Sequence, residues 1–303
     1  MASMFGQRFG AREPKEHSLA HIYTPVSEQI DGTGRNNGGI LVVKRVYDGL
    51  KCVEKRFRTG DIVDGRAEFE ISILQSLTHR NIVEYIDAFI DVRGLSPKAS
   101  LFMGHADLGN LENFYKSRAA ACKPPFREAA MWDLFAQLVD AVAYLQFGIR
   151  KATSSYDYER LRQRKWIGVV HRDIKPANIF LRAQSRAPFP TVLLGDFGQA
   201  IRDDNHNWER EYRMGGDPAW SPPEYPDYIY ESDTWSIGAT MQATCAMRSF
   251  TSFHSGTQST IGTCRHFSTS LNRLILSTMR TSPPDRPEIT ELALHVGSQA
   301  RFE

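Results

Sequence analysis

The sequence predicts an α+β chain in two lobes, a small mostly β lobe with one helix followed by a larger mostly α lobe. Three observations lead there. β-branched runs pair early in the chain, a single helical period interrupts them at 64–77, and after Gly109 the long apolar patterns have helical spacing. With 303 residues, 41% of them hydrophobic, the chain is long enough to bury a core for that arrangement.

Residues 40–57, ILVVKRVYDGLKCVEKRF, read as two strands joined at Tyr47-Asp48-Gly49, an Asp-Gly turn signal. Phe69, Ile73, Leu74 and Leu77 then fall at helical spacing, and 81–91 and 99–104 follow as short strands. Helices are expected at 111–116, 127–147, 232–247 and 268–279. The most apolar stretch, 129–149, carries Asp133, Gln137 and Asp140 on one face opposite Leu134, Leu138, Val142 and Leu145. That interruption makes it an amphipathic buried helix and not a membrane span. Residues 1–19, mixed in charge with Gly and Pro, read as a loose leader without an apolar signal core.

Charge excludes some partners. Lys and Arg number 37 against 35 Asp and Glu, so no global field draws nucleic acid or an anionic membrane. The four cysteines, 52, 122, 245 and 264, have neither metal-ligand spacing nor disulfide-scaffold density. The expected setting is the cytoplasm or nucleus.

The chemistry concentrates in 170–181, VHRDIKPANIFL, where a carboxylate, a cation and an amide stand at fixed offsets between apolar flanks. Downstream, Leu193-Leu194-Gly195-Asp196-Phe197-Gly198 sets a carboxylate after an apolar strand and before a sharp turn. These segments resemble the catalytic loop and the magnesium-binding segment of eukaryotic protein kinases of the serine/threonine type. The resemblance spans about residue 20 to 297 and is closest in flavour to NIMA-related and similar fungal kinases. It implies the bilobal protein-kinase-like fold, with an N-lobe at 20–103, a hinge at 104–107 and a C-lobe at 108–303 holding an insertion at about 150–166. ATP and Mg2+ are the implied cofactors, and proteins the implied substrates.

Residue by residue, the resemblance gives Asp173 the proton of an incoming hydroxyl, Lys175 the charge on the transferring phosphoryl group, and Asn178 and Asp196 the metal. In Cys52-Val53-Glu54-Lys55, strand alternation puts 51, 53 and 55 on one face, so the pattern leaves both Lys51 and Lys55 open as the phosphate-gripping lysine. Lys55 is preferred because it ends the strand and suits an ion pair with Glu70, for which Glu68 is the alternative. The glycines of 31–39, DGTGRNNGG, let backbone amides approach phosphates, with Gly32, Gly34 and Gly38 the implied contacts and the third glycine one residue late. Met103 stands at the back of the implied adenine pocket, followed by Gly104, His105 and Ala106, where Gly104 replaces a common Glu and implies a looser hinge.

Regulatory positions follow in the same way. Glu224 is expected to pair with Arg286, and Asp233 to brace the catalytic loop. Between Phe197 and Gly216 there is no Ser or Thr, so Tyr212 is the one phosphorylatable hydroxyl there. Asp203, Asp204, Glu209 or Glu211 are candidates to present charge to Arg172 without phosphorylation. Asp217 stands where related kinases carry Thr, and is expected either to raise the pKa of Asp173 or to hold Lys175. The basic insertion reads first as a solvated loop. The rival functional class is a pseudokinase scaffold marked by the irregular glycine loop, Gly104 and Asp217.

Overall fold

The computed structural model describes residues 21–26, 38–93, 96–154, 165–185, 187–204, 216–248 and 265–299. Its N-terminal sheet has the order β1-β2-β3-β5-β4, built from β1 (Tyr23–Pro25), β2 (Gly39–Arg45), β3 (Lys51–Arg56), β4 (Tyr85–Asp91) and β5 (Lys98–Gly104). Neighbouring strands are antiparallel throughout, and β2 meets β3 from Gly39↔Arg56 to Lys44↔Lys51. The connection closes because Asp48 takes the Arg45 guanidinium at 2.5 Å and the Leu50 amide at 3.1 Å, while Gly49 adopts φ +74°. One sheet face buries Tyr23, Val43, Cys52 and Phe102, with the Tyr23 and Phe102 rings stacked at 3.9 Å. Against the sheet pack α1 (Thr59–Val63) and α2 (Arg66–Ser76), which buries Ala67, Ile71, Ile73 and Leu74.

The C-terminal region is helical: α3 (Leu111–Ala120), α4 (Glu128–Phe147), α5 (Tyr230–Ala246), α6 (Thr269–Thr278) and α7 (Ile289–Gln299). Two short ribbons lie between α4 and α5, β6 (Val169–Val170) with β9 (Ile201–Arg202), and β7 (Ile179–Arg182) with β8 (Thr191–Leu194). The bilobal α+β architecture is thus the one expected from the sequence. Caps sit where local chemistry supplies them, Asn110 accepting the Asn113 amide at 2.8 Å and Gly148 ending α4 at φ +71°. Among the described residues no helix is long and apolar enough to cross a membrane.

α4 departs from a simple amphipathic helix. Gln137 and Asp140, on its polar face, are buried. They are internal fasteners. Gln137 Oε1 accepts the Asn81 side-chain amide at 2.9 Å and the Val192 amide at 2.8 Å, and Asp140 takes Arg80 at 2.7 Å and the Thr153 amide at 2.9 Å. α4 is buried along most of its surface, so these polar residues serve neighbouring side chains and backbone and not water. The same Asn81 bond explains why β4 begins at Tyr85 and not at Asn81: residue 81 is engaged with α4 and β8. Of the insertion, the described ends are fixed, Thr153 on Asp140 and the Trp166 indole donating to Leu145 O at 2.9 Å. Residues 155–164 lie outside the described residues.

Candidate active site

Lys55, the last residue but one of β3, turns its side chain into the protein. Its Nζ lies 2.7 Å from Glu70 Oε1 on α2 and 2.8 Å from Asp196 Oδ1. Lys51 is exposed, so geometry separates two lysines that alternation could not. Burial works against the Lys55 charge, but Asp196 and Glu70 outweigh it and hold the amine protonated far above its ordinary range. The same lysine pulls Asp196 below the usual carboxylate range against its burial. Gly198 makes the triad possible, since a Cβ there would come within 3.0 Å of Glu70 Oε2 and 3.3 Å of Asp196 Oδ1.

Asp173 sits on the loop between β6 and β7. Its Oδ2 accepts the Asn178 side-chain amide at 2.7 Å, while Oδ1 takes the Asp217 amide and Lys175 Nζ, each at 3.1 Å. Burial pushes this carboxyl up to about 6, against the pull of Lys175. Lys175 is shared, its Nζ also 3.4 Å from Asp217 Oδ2. Of the two roles expected for Asp217, the geometry favours the ion pair: burial, with Asp196, raises Asp173, whereas Asp217 offers it an N–H donor.

The loop is held from below by Asp233 on α5, whose two oxygens accept the His171 amide at 2.7 Å and the Arg172 amide at 3.0 Å. Arg172 has φ +66°, an uncommon conformation for a bulky side chain, and the bond to Asp233 fixes it. Burial lifts the Asp233 carboxyl to about 7 in spite of both amides. Arg172 Nε donates to Gln199 O at 2.6 Å and its guanidinium lies 5.6 Å from the Tyr228 ring. Phe197 is buried against the His171 ring, centroids 4.8 Å apart. Further out, Arg286 forks onto Glu224 with two 2.7 Å bonds, and Ser232 Oγ donates to the same Glu224 at 2.6 Å.

The donor set suits a hard divalent cation. Asn178 gives its amide N–H groups to Asp173, leaving Oδ1, and Asp196 gives Oδ1 to Lys55, leaving Oδ2. Amide and carboxylate oxygens are the donors that Mg2+ accepts, completed by phosphate oxygens and water. Among the described residues no cluster of three or more His, Cys, Asp or Glu offers a rival metal site.

Residues 30–296 match the model of the protein kinase domain. The chain belongs to the protein kinase domain family. It is 30% identical to the G2-specific protein kinase fin1 of Schizosaccharomyces pombe over 69% of this chain and 29% of that one. It is 27% identical to the serine/threonine-protein kinase Nek2 of Mus musculus over 86% of this chain and 57% of that one, and 27% identical to the G2-specific protein kinase nimA of Emericella nidulans over 88% and 40%. The NIMA-related resemblance read from the sequence therefore stands, and the chain covers less than two thirds of each of these relatives.

Around this kinase-domain centre some expected positions are rearranged. Gly38 donates its amide to Arg56 O at 2.7 Å and begins the β2 pairing, so that amide is not available to a phosphate; a Cβ there would meet Phe57 O at 2.9 Å. Gly32 and Gly34 lie outside the described residues, as do Tyr212, Glu209 and Glu211. Gly104 does not loosen its segment: its amide donates to Glu84 O at 2.9 Å, it pairs with Cys52 across β3, and Arg182 reaches within 3.3 Å of where a Cβ would stand. Met103 is half-buried against the core, with His105 and Ala106 following at the end of β5. Asp203 turns to Tyr230 instead of Arg172, accepting the phenol at 3.0 Å.

Sequence reasoning passed over His171 as a working residue. Its Nε2–H donates to Gly195 O at 3.1 Å and its Nδ1 accepts the Asp173 amide at 3.3 Å, so one neutral ring ties the loop of Asp173 to the segment of Asp196. Burial holds its pKa down to about 4, which keeps the ring neutral, and the Gly195 carbonyl on one side and the Asp173 amide on the other set the tautomer. The available signal was its place beside Arg172-Asp173 in an apolar frame.

Proposed function

We propose that this domain is an active serine/threonine protein kinase that moves the γ-phosphoryl group of ATP to hydroxyls of protein substrates. The observation that carries the reading is the contact of Lys55 Nζ with both Glu70 and Asp196, which brings charged groups of distant chain segments together. In this reading Lys55 grips the α- and β-phosphates, Met103, Gly104, His105 and Ala106 line the adenine pocket, and Gly32 and Gly34 lie in the phosphate-covering loop. Asn178 and Asp196 hold Mg2+, which neutralises phosphate charge when bound. Asp173 Oδ1 and Oδ2 orient the substrate hydroxyl and take its proton, and Lys175 offsets charge on the phosphoryl oxygens. The serine/threonine preference is supported by Lys175 and by the names of the relatives. A cytosolic or nuclear setting is supported by the scattered cysteines.

The raised Asp173 carboxyl gives the reading a pH signature. The base must be ionised, so kcat/KM for casein should fall by about tenfold per unit as pH drops below about 6. A kcat/KM flat from pH 7 to 5 on stable enzyme would contradict the assignment of Asp173 as base.

A scaffold reading draws on one observation, the capture of Lys175 by Asp217. It is weighed by variant. Asp217 Oδ1 accepts the Ala219 amide at 3.1 Å, a bond that a threonine hydroxyl can replace without the charge. Asp217 is partly exposed, so the pair is screened and its release is modest. Asp217→Thr is expected to raise casein turnover about two- to fivefold. Unchanged or lower turnover in the purified variant would count against Asp217 as a brake.

A further inference from the structure

Three elements meet at the end of β9. Arg202 ends the strand and Asp203 is the turn residue after it, and their side chains reach two different helices. Arg202 donates to Ser72 O at 2.8 Å and lies 3.4 Å from Ser76 Oγ, both in the last turn of α2, the helix that carries Glu70. Asp203 Oδ2 accepts the hydroxyl of Tyr230, the first residue of α5, at 3.0 Å, and the Asp203 amide donates to Gly168 O at 2.9 Å. α5 is the helix whose Asp233 holds the catalytic loop.

Gly168 is a fitted part of this junction. The Tyr230 hydroxyl occupies the space where a Cβ on residue 168 would stand. Gly168 is not in the left-handed region, so what the site requires is room and not a special conformation. Burial, reinforced by Asp203, keeps the phenol protonated and therefore a donor. The other end of the segment is fixed as well: a Cβ on Gly216, at φ +79°, would stand 2.6 Å from Arg172 O and 2.8 Å from Tyr228 Oη, and the Asp217 amide donates to Asp173.

We propose that Arg202-Asp203 is a phosphate-independent bracket that holds α2, and with it the Lys55–Glu70 contact, in register with the helix bracing the catalytic loop. Tyr230 and Gly168 are its receiving groups, and all four are positioning residues. The proposal rests on the kinase reading above. Where a kinase orders this segment by phosphorylation, new contacts to arginine carry the order. Here no Ser or Thr lies between Phe197 and Gly216, and the contacts of Arg202 and Asp203 need no modification to form. Arg202 acts on carbonyl oxygen at a helix C-terminus, where a cation is favoured, and the phenol-to-carboxylate bond is charge-assisted.

The test pairs steady-state kinetics on casein with amide hydrogen exchange, using the full chain. Tyr230→Phe, Asp203→Ala and Gly168→Ala are each expected to lower kcat about tenfold, the weight of one hydrogen bond to a charged group. They should also speed exchange in the last turn of α2, across the bracket from the substituted residue. Asp203→Asn, whose amide oxygen still accepts the phenol proton but without the charge, should lose less than Asp203→Ala in both properties. Phosphatase treatment of the wild type should leave kcat unchanged. Unaltered exchange in α2 for both Tyr230→Phe and Asp203→Ala overturns the bracket, as does an unchanged kcat in those variants or a loss of activity after phosphatase. If the wild type transfers no phosphate, the kinase reading fails separately, and exchange in α2 alone decides the bracket.

Discussion

Replacing Arg286 with alanine is expected to cost about 3–5 kcal/mol of folding stability, the penalty for stranding one member of a buried ion pair. The Arg286 side chain is 0% exposed and that of Glu224 14%, so water cannot take over the lost partner. The guanidinium also donates to the carbonyls of Arg280 at 2.8 Å, Glu231 at 3.0 Å and Thr281 at 3.1 Å. One substitution therefore leaves the Glu224 carboxylate without its cation, keeping only the Ser232 hydroxyl, and takes a donor from three backbone carbonyls. Lysine restores charge but not the planar fork, so Arg286→Lys should recover only part of the loss. Urea midpoints at constant m-value measure both. An alanine variant within about 1 kcal/mol of wild type would mean that the pair is not the clamp its geometry describes.

Asp173→Asn is expected to lower kcat by about 10²–10⁴-fold, because the amide cannot take the proton of the attacking hydroxyl. The nucleotide contacts assigned to Lys55 and Asp196 lie on other elements, so ATP affinity should be retained. Both Asp173 oxygens already receive donors, Asn178 on one side and Lys175 with the Asp217 amide on the other. The NH2 of asparagine must face one of them, so folding is checked by urea midpoint beside the kinetics. A variant with kcat within about tenfold of wild type would remove Asp173 as the base.

Much of the fold was legible because local rules agreed with the global arrangement. The 40–57 hairpin was visible in β-branched runs around an Asp-Gly turn, and the structure closes it through Asp48 and Gly49. The α4 polar stripe was visible but its destination was not, because spacing tells which residues share a face and not whether that face meets water. Gln137 and Asp140 are satisfied by Asn81, Val192, Arg80 and Thr153, residues up to 60 positions away. Strand period 2 could not choose between Lys51 and Lys55; only the approach of α2 and Asp196 does. The pairing of Glu224 with Arg286 came from resemblance, whereas the Tyr230–Asp203–Gly168 junction left no sequence trace, since a lone glycine, tyrosine and aspartate carry no spacing rule.

The most direct measurement is transfer of labelled phosphate from ATP and Mg2+ to casein by purified wild type beside Asp173→Asn, with phosphoamino-acid analysis of the product. An active serine/threonine kinase predicts phosphoserine or phosphothreonine from the wild type and its loss in the variant. Equal background from both proteins, with ATP still bound, would contradict it and leave the assembled site as a nucleotide-binding scaffold.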